Sequence, residues 1–284
     1  FEEGDLFMEQ REKVILVTGA SSGLGLAVAN HLGNIGHTVY AGARSFKDES
    51  LDQKSPRRVY LDVTDENSVN EVIHNIIDNE GRIDVVVNCA AMLILGSVED
   101  ISLSEFDKVM ETNLIGTIRV CKAVLPHMRS KNSGLIINFS SIMGLLAIPF
   151  QCAYSASKFA IEGFSEALSL ETKGFGIKVV IVEPTDHKSG SQKYRPHAEG
   201  AISENSPYRD LFLRITKKIE YDEANGSEPD KLARVVEKII NSKNPKLRFK
   251  VGKFDQKLSV FAKRILPSRV FESVIFSYYN SGEK

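Results

Sequence analysis

No stretch of this chain approaches the ~20 consecutive apolar residues needed to cross a bilayer, and its first residues contain no signal-peptide core. Cysteine is scarce: Cys89, Cys121 and Cys152 stand among apolar neighbours with no paired spacing. That excludes a disulfide framework and reads as buried thiols in a reducing, cytoplasmic setting. Neither charge sign dominates, and a formal net charge of -1 argues against a primary nucleic-acid role. The six histidines (His31, His37, His74, His127, His187, His197) show no ligand spacing with one another or with cysteine, so no metal site is expected. Nothing marks a linker. What is present is 42% hydrophobic residues over 284, enough for one large core, with strands and helices alternating as in a single α/β domain. Residues 1–11 are expected to be a leader or non-native addition, and 12–284 the domain.

The apolar run Val14–Val17 is expected to be a parallel strand covered on both faces. It leads into Thr18-Gly19-Ala-Ser21-Ser22-Gly23-Leu24-Gly25 and then into a helical pattern from Leu26 to Leu32. Strand, glycine turn and helix in this order make an anion cradle, because glycines admit close backbone approach and a helix N-terminus offers unbonded N–H groups. A dinucleotide pyrophosphate is the natural occupant. The second strand, Thr38 onward, leaves the sheet at Gly42-Ala43-Arg44 with no carboxylate before Asp48. Arg44 therefore favours NADP(H) over NAD(H) through the 2′-phosphate, unless it is a solvated loop residue. A third strand, Val59–Val63, carries Asp62 to its end, where it could take the adenine amino group. The fourth, Asp84–Ala91, ends in small residues that either let a cofactor lie close or simply pack.

Farther on, Ser102–Arg129 reads as one long helix with Ser102 and Glu105 forming a capping box. Asn113 within it is either a satisfied structural bridge or part of a proton path. The buried strand Gly134–Phe139 delivers Ser140 and Ser141 to the edge of the sheet. On the helix Gln151–Lys173, Tyr154 and Lys158 lie one turn apart on the same face, placing a cation beside a phenol that must move a proton. Residues 185–227 are polar and loop-rich with one helix, Tyr208–Ile219. From Lys243 to Arg269 there are nine basic residues and one acidic residue interleaved with Phe254, Leu258, Phe261 and Ile265. That segment, within the 243–284 extension, is either an amphipathic membrane-surface helix or, as favoured here, a packed helix with a solvated charged face.

Thr18-Gly-x-x-x-Gly-x-Gly25, Asp62-Val63, Asn88-x-Ala90, Asn113, Ser141, Tyr154-x-x-x-Lys158 and Pro184, in this order and at compatible spacings, closely resemble the short-chain dehydrogenase/reductase family. The resemblance spans about residues 12–190 and is specific as a set. It implies an α/β, Rossmann-like, doubly wound parallel sheet of about seven strands with helices on both faces. It carries catalytic roles to Asn113 (anchoring a water), Ser141, Tyr154 as acid/base and Lys158, which lowers the phenol pKa and holds ribose hydroxyls. Cofactor contacts are implied for the glycine loop, Arg44, Asp62, Val63, Asn88, Ala90, Pro184 and Ser189. Two departures stand out: Ala91 replaces the family's usual glycine, and Thr185 replaces the glycine after Pro184. The resemblance also implies a small-molecule hydroxyl or carbonyl substrate and a homodimer or homotetramer. Loosely, the extension is similar to that of hydroxysteroid and retinol dehydrogenases. Met92–Leu95 and Leu145–Phe150, which flank the family's substrate pocket, suggest a hydrophobic substrate such as a steroid, retinoid or lipid. The alternatives are a dinucleotide-binding sensor or scaffold, and an epimerase or dehydratase using internal hydride transfer.

Overall fold

Alternation within the apolar strands divides the core in two. In β1 (Val14–Thr18) Ile15 and Val17 join one cluster while Val14 and Leu16 join another, because successive strand residues face opposite sides of a sheet. The computed structural model describes residues 12–47, 55–193 and 195–281; the leader expected at 1–11 and Asp48 lie outside these. β1 is joined by β2 (Thr38–Ala43), β3 (Arg57–Tyr60), β4 (Val85–Asn88), β5 (Gly134–Phe139), β6 (Ile177–Pro184) and β7 (Arg248–Val251). They pair in parallel in the order β3-β2-β1-β4-β5-β6-β7. Helices α1 (Gly23–Asn34) and α7 (Pro229–Asn241) close one face. Across the sheet, α2 (Glu66–Glu80), α4 (Gly116–Ser130) and Leu168 of α5 (Cys152–Thr172) close the other. This is the doubly wound fold expected. Strand order reverses between β1 and β4, and the crevice for a ligand opens beyond their carboxyl ends.

Several boundaries differ from the sequence reading. β3 stops at Tyr60, so Asp62 belongs to the loop beyond the strand. β4 ends at Asn88, leaving Cys89–Ala91 as irregular chain. The capping box holds, with Ser102 accepting from Glu105 N and the Glu105 carboxylate accepting from Ser102 N, but the long helix is broken. It runs as α3 (Leu103–Met110), a π-turn at Glu111–Ile115 and α4. A π-turn carries one extra residue per turn and often marks a functional site; here it carries Asn113. β6 continues through Pro184, which pairs with Val251.

A third cluster roofs the carboxyl end of the sheet, built from Leu95, Leu146, Phe212 of α6 (Arg209–Ala224), Val260 of α8 (Phe254–Ile265) and Phe271 of α9 (Ser268–Asn280). α8 packs through Val260 and exposes Asp255, Lys263 and Arg264, but its solvated side also carries large apolar residues. Phe254, Leu258, Phe261 and Ile265 share its outer side at 77%, 51%, 57% and 65% exposure, and only Val260 of this helix is buried. Lys263, itself exposed, donates to the Leu145 carbonyl at 2.6 Å. No helix among the described residues is long and apolar enough to cross a membrane.

One side chain ties the two central strands at the crevice. Thr18 Oγ1 accepts from both Cys89 N and Ala90 N at 3.1 Å. Thr18→Val keeps the shape but leaves both donors without an acceptor, and is expected to lower the unfolding free energy by about 1–3 kcal/mol. Denaturant titration checks this, and an unchanged midpoint would show the two bonds to be dispensable.

Candidate active site

Beyond β1 and β4 lies a cavity of about 520 Å³, within the size range of small-molecule sites. Its floor is the glycine turn, and close approach explains the glycines. A Cβ on Gly25 would sit 2.4 Å from the Gly19 carbonyl oxygen; Gly19, at φ 67°, passes so near β4 that its Cβ would lie 2.6 Å from Ala90 Cα. Ser21, Ser22, Gly23 and Leu24 complete the floor, and no side chain caps the N-terminus of α1. That leaves an anion-accepting end facing the cavity. Arg44 stands exposed on the rim beside Ser45, and no carboxylate of the lining lies at the β2 exit. Asp62 and Val63 form the neighbouring rim, with Asp62 Oδ1 held by Thr64 N at 2.9 Å and Thr64 Oγ1 at 2.8 Å.

Ala90, Pro184 and Ser189 also line the cavity, and Ser189 packs over the floor, 3.3 Å from where a Gly23 Cβ would be. Asn88 does not. Its amide donates to Asn138 Oδ1 at 2.9 Å and to Cys121 Sγ at 3.5 Å, so its side chain is a core bridge joining β4, β5 and α4. The two family departures are accommodated. Ala91 is not in the positive-φ region, so its backbone requires no glycine. Thr185 Oγ1 accepts from Lys253 N at 2.9 Å, and room for it comes from Gly252, where a Cβ would meet that oxygen at 1.9 Å.

Ser141, Tyr154 and Lys158 converge on one wall. The Ser141 hydroxyl accepts from Met143 N at 3.2 Å, donates to the Pro184 carbonyl at 3.5 Å and acts to lower the pKa of the Tyr154 phenol, whereas the Ser140 hydroxyl turns toward the Lys158 carbonyl at 3.4 Å. Lys158 is 2% exposed; its Nζ donates to the Phe139 carbonyl at 2.7 Å and lies 5.4 Å from the Tyr154 ring centroid. Burial pushes the phenol up to about 12 despite Ser141 and a nearby Arg195, and draws Lys158 down to about 8. Burial is the largest influence on the phenol, and at neutral pH Tyr154 holds its proton. Cys89, also on the wall, is held as a thiol by burial at about 12.

Asn113 is fully buried and does not reach the cavity. Its Oδ1 accepts from Met92 N at 2.6 Å, and its Nδ2 donates to Met92 O and Ser157 Oγ, both at 2.9 Å. The structural-bridge alternative fits these bonds, since both amide hydrogens are used. Of the apolar runs assigned to the pocket, Met92 and Leu93 line it; Leu95, Leu146, Ile148 and Phe150 are roof core. The remaining wall is polar, with Asp186, His187, Arg195 and Glu223. The sequence reading missed these four, and no local spacing joins them.

Three comparisons bear on this geometry. A family model for short chain dehydrogenases matches residues 13–200. The 3-ketodihydrosphingosine reductase of Bacteroides thetaiotaomicron is 43% identical over 267 residues, 94% of this chain and 98% of that protein. Among solved structures, a short-chain dehydrogenase from Streptomyces avermitilis superposes with a TM-score of 0.77 at 30% identity, over 95% of this chain and 97% of that one. ElxO with NADP bound superposes at 0.69 with 27% identity, over 84% and 97%.

The cradle makes its own prediction. Gly25→Ala should weaken NADPH binding at least about tenfold, which is 1.4 kcal/mol, in calorimetric titration. Gly163→Ala in α5, where an added methyl meets nothing within 4 Å, should bind normally. Undiminished affinity in Gly25→Ala would move the dinucleotide site elsewhere.

Proposed function

The chain belongs to the short-chain dehydrogenase family of NAD(P)-dependent oxidoreductases acting on hydroxyl groups, and from that premise we propose that it reduces a long-chain ketone with NADPH, Tyr154 supplying the proton. The observation that carries this reading is the convergence of Ser141, Tyr154 and Lys158 on one wall above the glycine cradle. A dinucleotide fits what is present: an uncapped helix N-terminus, a floor with no room for a Cβ at Gly25, and Arg44 at the β2 exit. Backbone N–H groups of Gly23–Gly25 would hold the pyrophosphate, Arg44 and Ser45 the 2′-phosphate, Asp62 the adenine amino group and Lys158 the ribose. Bound there, NADPH supplies the hydride that reaches the carbonyl carbon. NADP as cofactor of the similar ElxO structure, and the ketone substrate in the reductase relative's name, support this choice.

The chain's own residues manage the oxygen. As the C–H bond forms, Tyr154 Oη releases its proton to the carbonyl oxygen while Ser141 Oγ donates to the same atom. The charged Lys158 stabilises the phenolate left behind. Asn113 acts by position, fixing Met92 and the Ser157 turn of α5 beneath Tyr154. We also assign the exposed Leu170 and Phe175 beside α5 to the contact of a homodimer or homotetramer.

The outward stripe of α8 we assign to an anionic membrane surface, where a long-chain ketone resides. Four large apolar side chains face out, Lys257 and Arg264 border them on the helix, and Asp255 is its one acidic residue. Such a face inserts at the headgroup boundary and gains from anionic lipid.

Tyr154→Phe should lower ketone turnover by about 10²–10⁴ with NADPH affinity retained, assayed with NADPH and NADH in parallel; normal turnover would remove Tyr154 from the chemistry. In wild type, reduction should hold level on the acid side and decline as pH rises through about 8, where Lys158 loses its charge. Vesicle flotation tests the membrane assignment: binding to phosphatidylserine vesicles but not to phosphatidylcholine, lost in Leu258→Ser/Phe261→Ser. Failure to float with anionic vesicles would remove it.

A further inference from the structure

The polar wall opposite the cradle contains a buried ion pair whose hydrogen bonding is unfinished. Arg195 and Glu223 are 6% and 9% exposed. Arg195 Nη2 donates to both Glu223 oxygens, at 2.6 and 2.8 Å, and to Ser191 Oγ at 2.8 Å. Its Nε and Nη1, equally buried, have no partner among the described residues. A pair that served only to hold α6 in place would be expected to spend its donors on protein, since an unmade buried bond is costly. These donors instead belong to a side chain lining the cavity that contains Tyr154. Arg195 and Glu223 also both act electrostatically on the Tyr154 phenol, the first lowering and the second raising its pKa.

Their chemistry selects the occupant. A guanidinium can only donate, so what completes it is an oxygen acceptor. The lining adds two carboxylates, Asp186 and Glu223, to the one guanidinium on this side. An anionic group would meet more negative than positive charge here, whereas a hydroxyl oxygen takes the two donors without that repulsion. Glu223 keeps lone pairs with which to accept from an amine or hydroxyl hydrogen next to that oxygen.

We propose that Arg195 and Glu223 form a head-group subsite, Arg195 Nε and Nη1 donating to a hydroxyl beside the reacting carbonyl and Glu223 accepting from its neighbouring amine or hydroxyl. The substrate class is a long-chain ketone with a hydroxyl or amino-alcohol head. This rests on the reading of the cavity as a ketone-reducing site. Sequence spacing does not reveal the pair, because Arg195 precedes α6 and Glu223 lies near its far end, 28 residues on.

The experiment compares two ketones of equal chain length, 3-ketodihydrosphingosine with its amino-alcohol head and a plain long-chain ketone without one, in wild type, Arg195→Met and Arg195→Lys. Wild type should favour the headed ketone by at least about 100-fold in kcat/KM, as expected when a buried donor is left unpaired by the analogue. Arg195→Met should lose most of that preference through KM, its kcat/KM falling much further on the headed ketone than on the plain one, with NADPH affinity unchanged. Arg195→Lys keeps a cation for Glu223 but not the fork, and should show the same loss if the methionine variant does not fold. Equal loss on both ketones would make the pair structural, weakened NADPH binding would make Arg195 a cofactor contact, and retained discrimination in a folded variant would place the head elsewhere. Each overturns the subsite and leaves the reductase reading standing. Turnover of neither ketone by wild type would overturn that reading and the subsite with it.

Discussion

The hydrogen bond from Lys158 Nζ to the Phe139 carbonyl, 2.7 Å long and closed to solvent, is the interaction around which the site is arranged. An ammonium at this depth is tolerated only when its donors find acceptors, and desolvation has already drawn its pKa down to about 8. The carbonyl it uses belongs to the last residue of β5. The same bond therefore docks α5 on the sheet, brings Ser141 round beside Tyr154 and aims the remaining ammonium donors toward the crevice. Packing of the helix and readiness of the acid are two consequences of one contact. Slackening it would loosen the wall before it altered any intrinsic acidity.

A second group of contacts does for the opposite wall what Lys158 does for α5. Asn113 sits in the π-turn between α3 and α4, and the extra residue there turns its amide inward to meet Met92 and Ser157. One buried amide thus fixes the loop after β4 against the helix that carries Tyr154. The Asn88–Asn138–Ser165 chain repeats the device one layer deeper, joining β4, β5 and α5. Buried polar groups of this kind rigidify only when satisfied. A catalytic wall made of three separate elements needs such ties more than it needs further apolar area.

This explains what could be read from the sequence and what could not. Strands, glycine turn and the Tyr154–Lys158 pair depend on spacing within a few residues, and spacing is what a sequence displays. Asn88 and Asn113 look alike there, each an amide among apolar neighbours, and only the fold shows that neither side chain reaches the cavity. Thr185 looks like a defect until Gly252, 67 positions later, is seen to make room for it. The period of Phe254, Leu258, Phe261 and Ile265 was plain, but which side of α8 would meet the protein was set by Val260 and by Lys263 reaching the Leu145 carbonyl. In each case the missing information was tertiary.

The apolar segments near the pocket suggest a hydrophobic substrate, but the structure redistributes them. Most of Leu145–Phe150 supports the roof, with Phe212 and Phe271 packed into the same cluster. What the roof leaves facing the cavity is Met92, Leu93 and Met143 on one side and Asp186, His187, Arg195 and Glu223 on the other. Burial raises the pKa of both Asp186 and Glu223, so this polar wall was not built for free exchange with water. Buried donors without a partner among the described residues, as Arg195 Nε and Nη1 are, are costly in such a place. On the proposed reading an amphipathic ligand offsets that cost, its polar end completing the wall's hydrogen bonds. If the proposed substrate class is right, the polarity of the wall and the apolar outer face of α8 are complementary demands of one kind of molecule, a lipid whose reactive carbon lies next to its head.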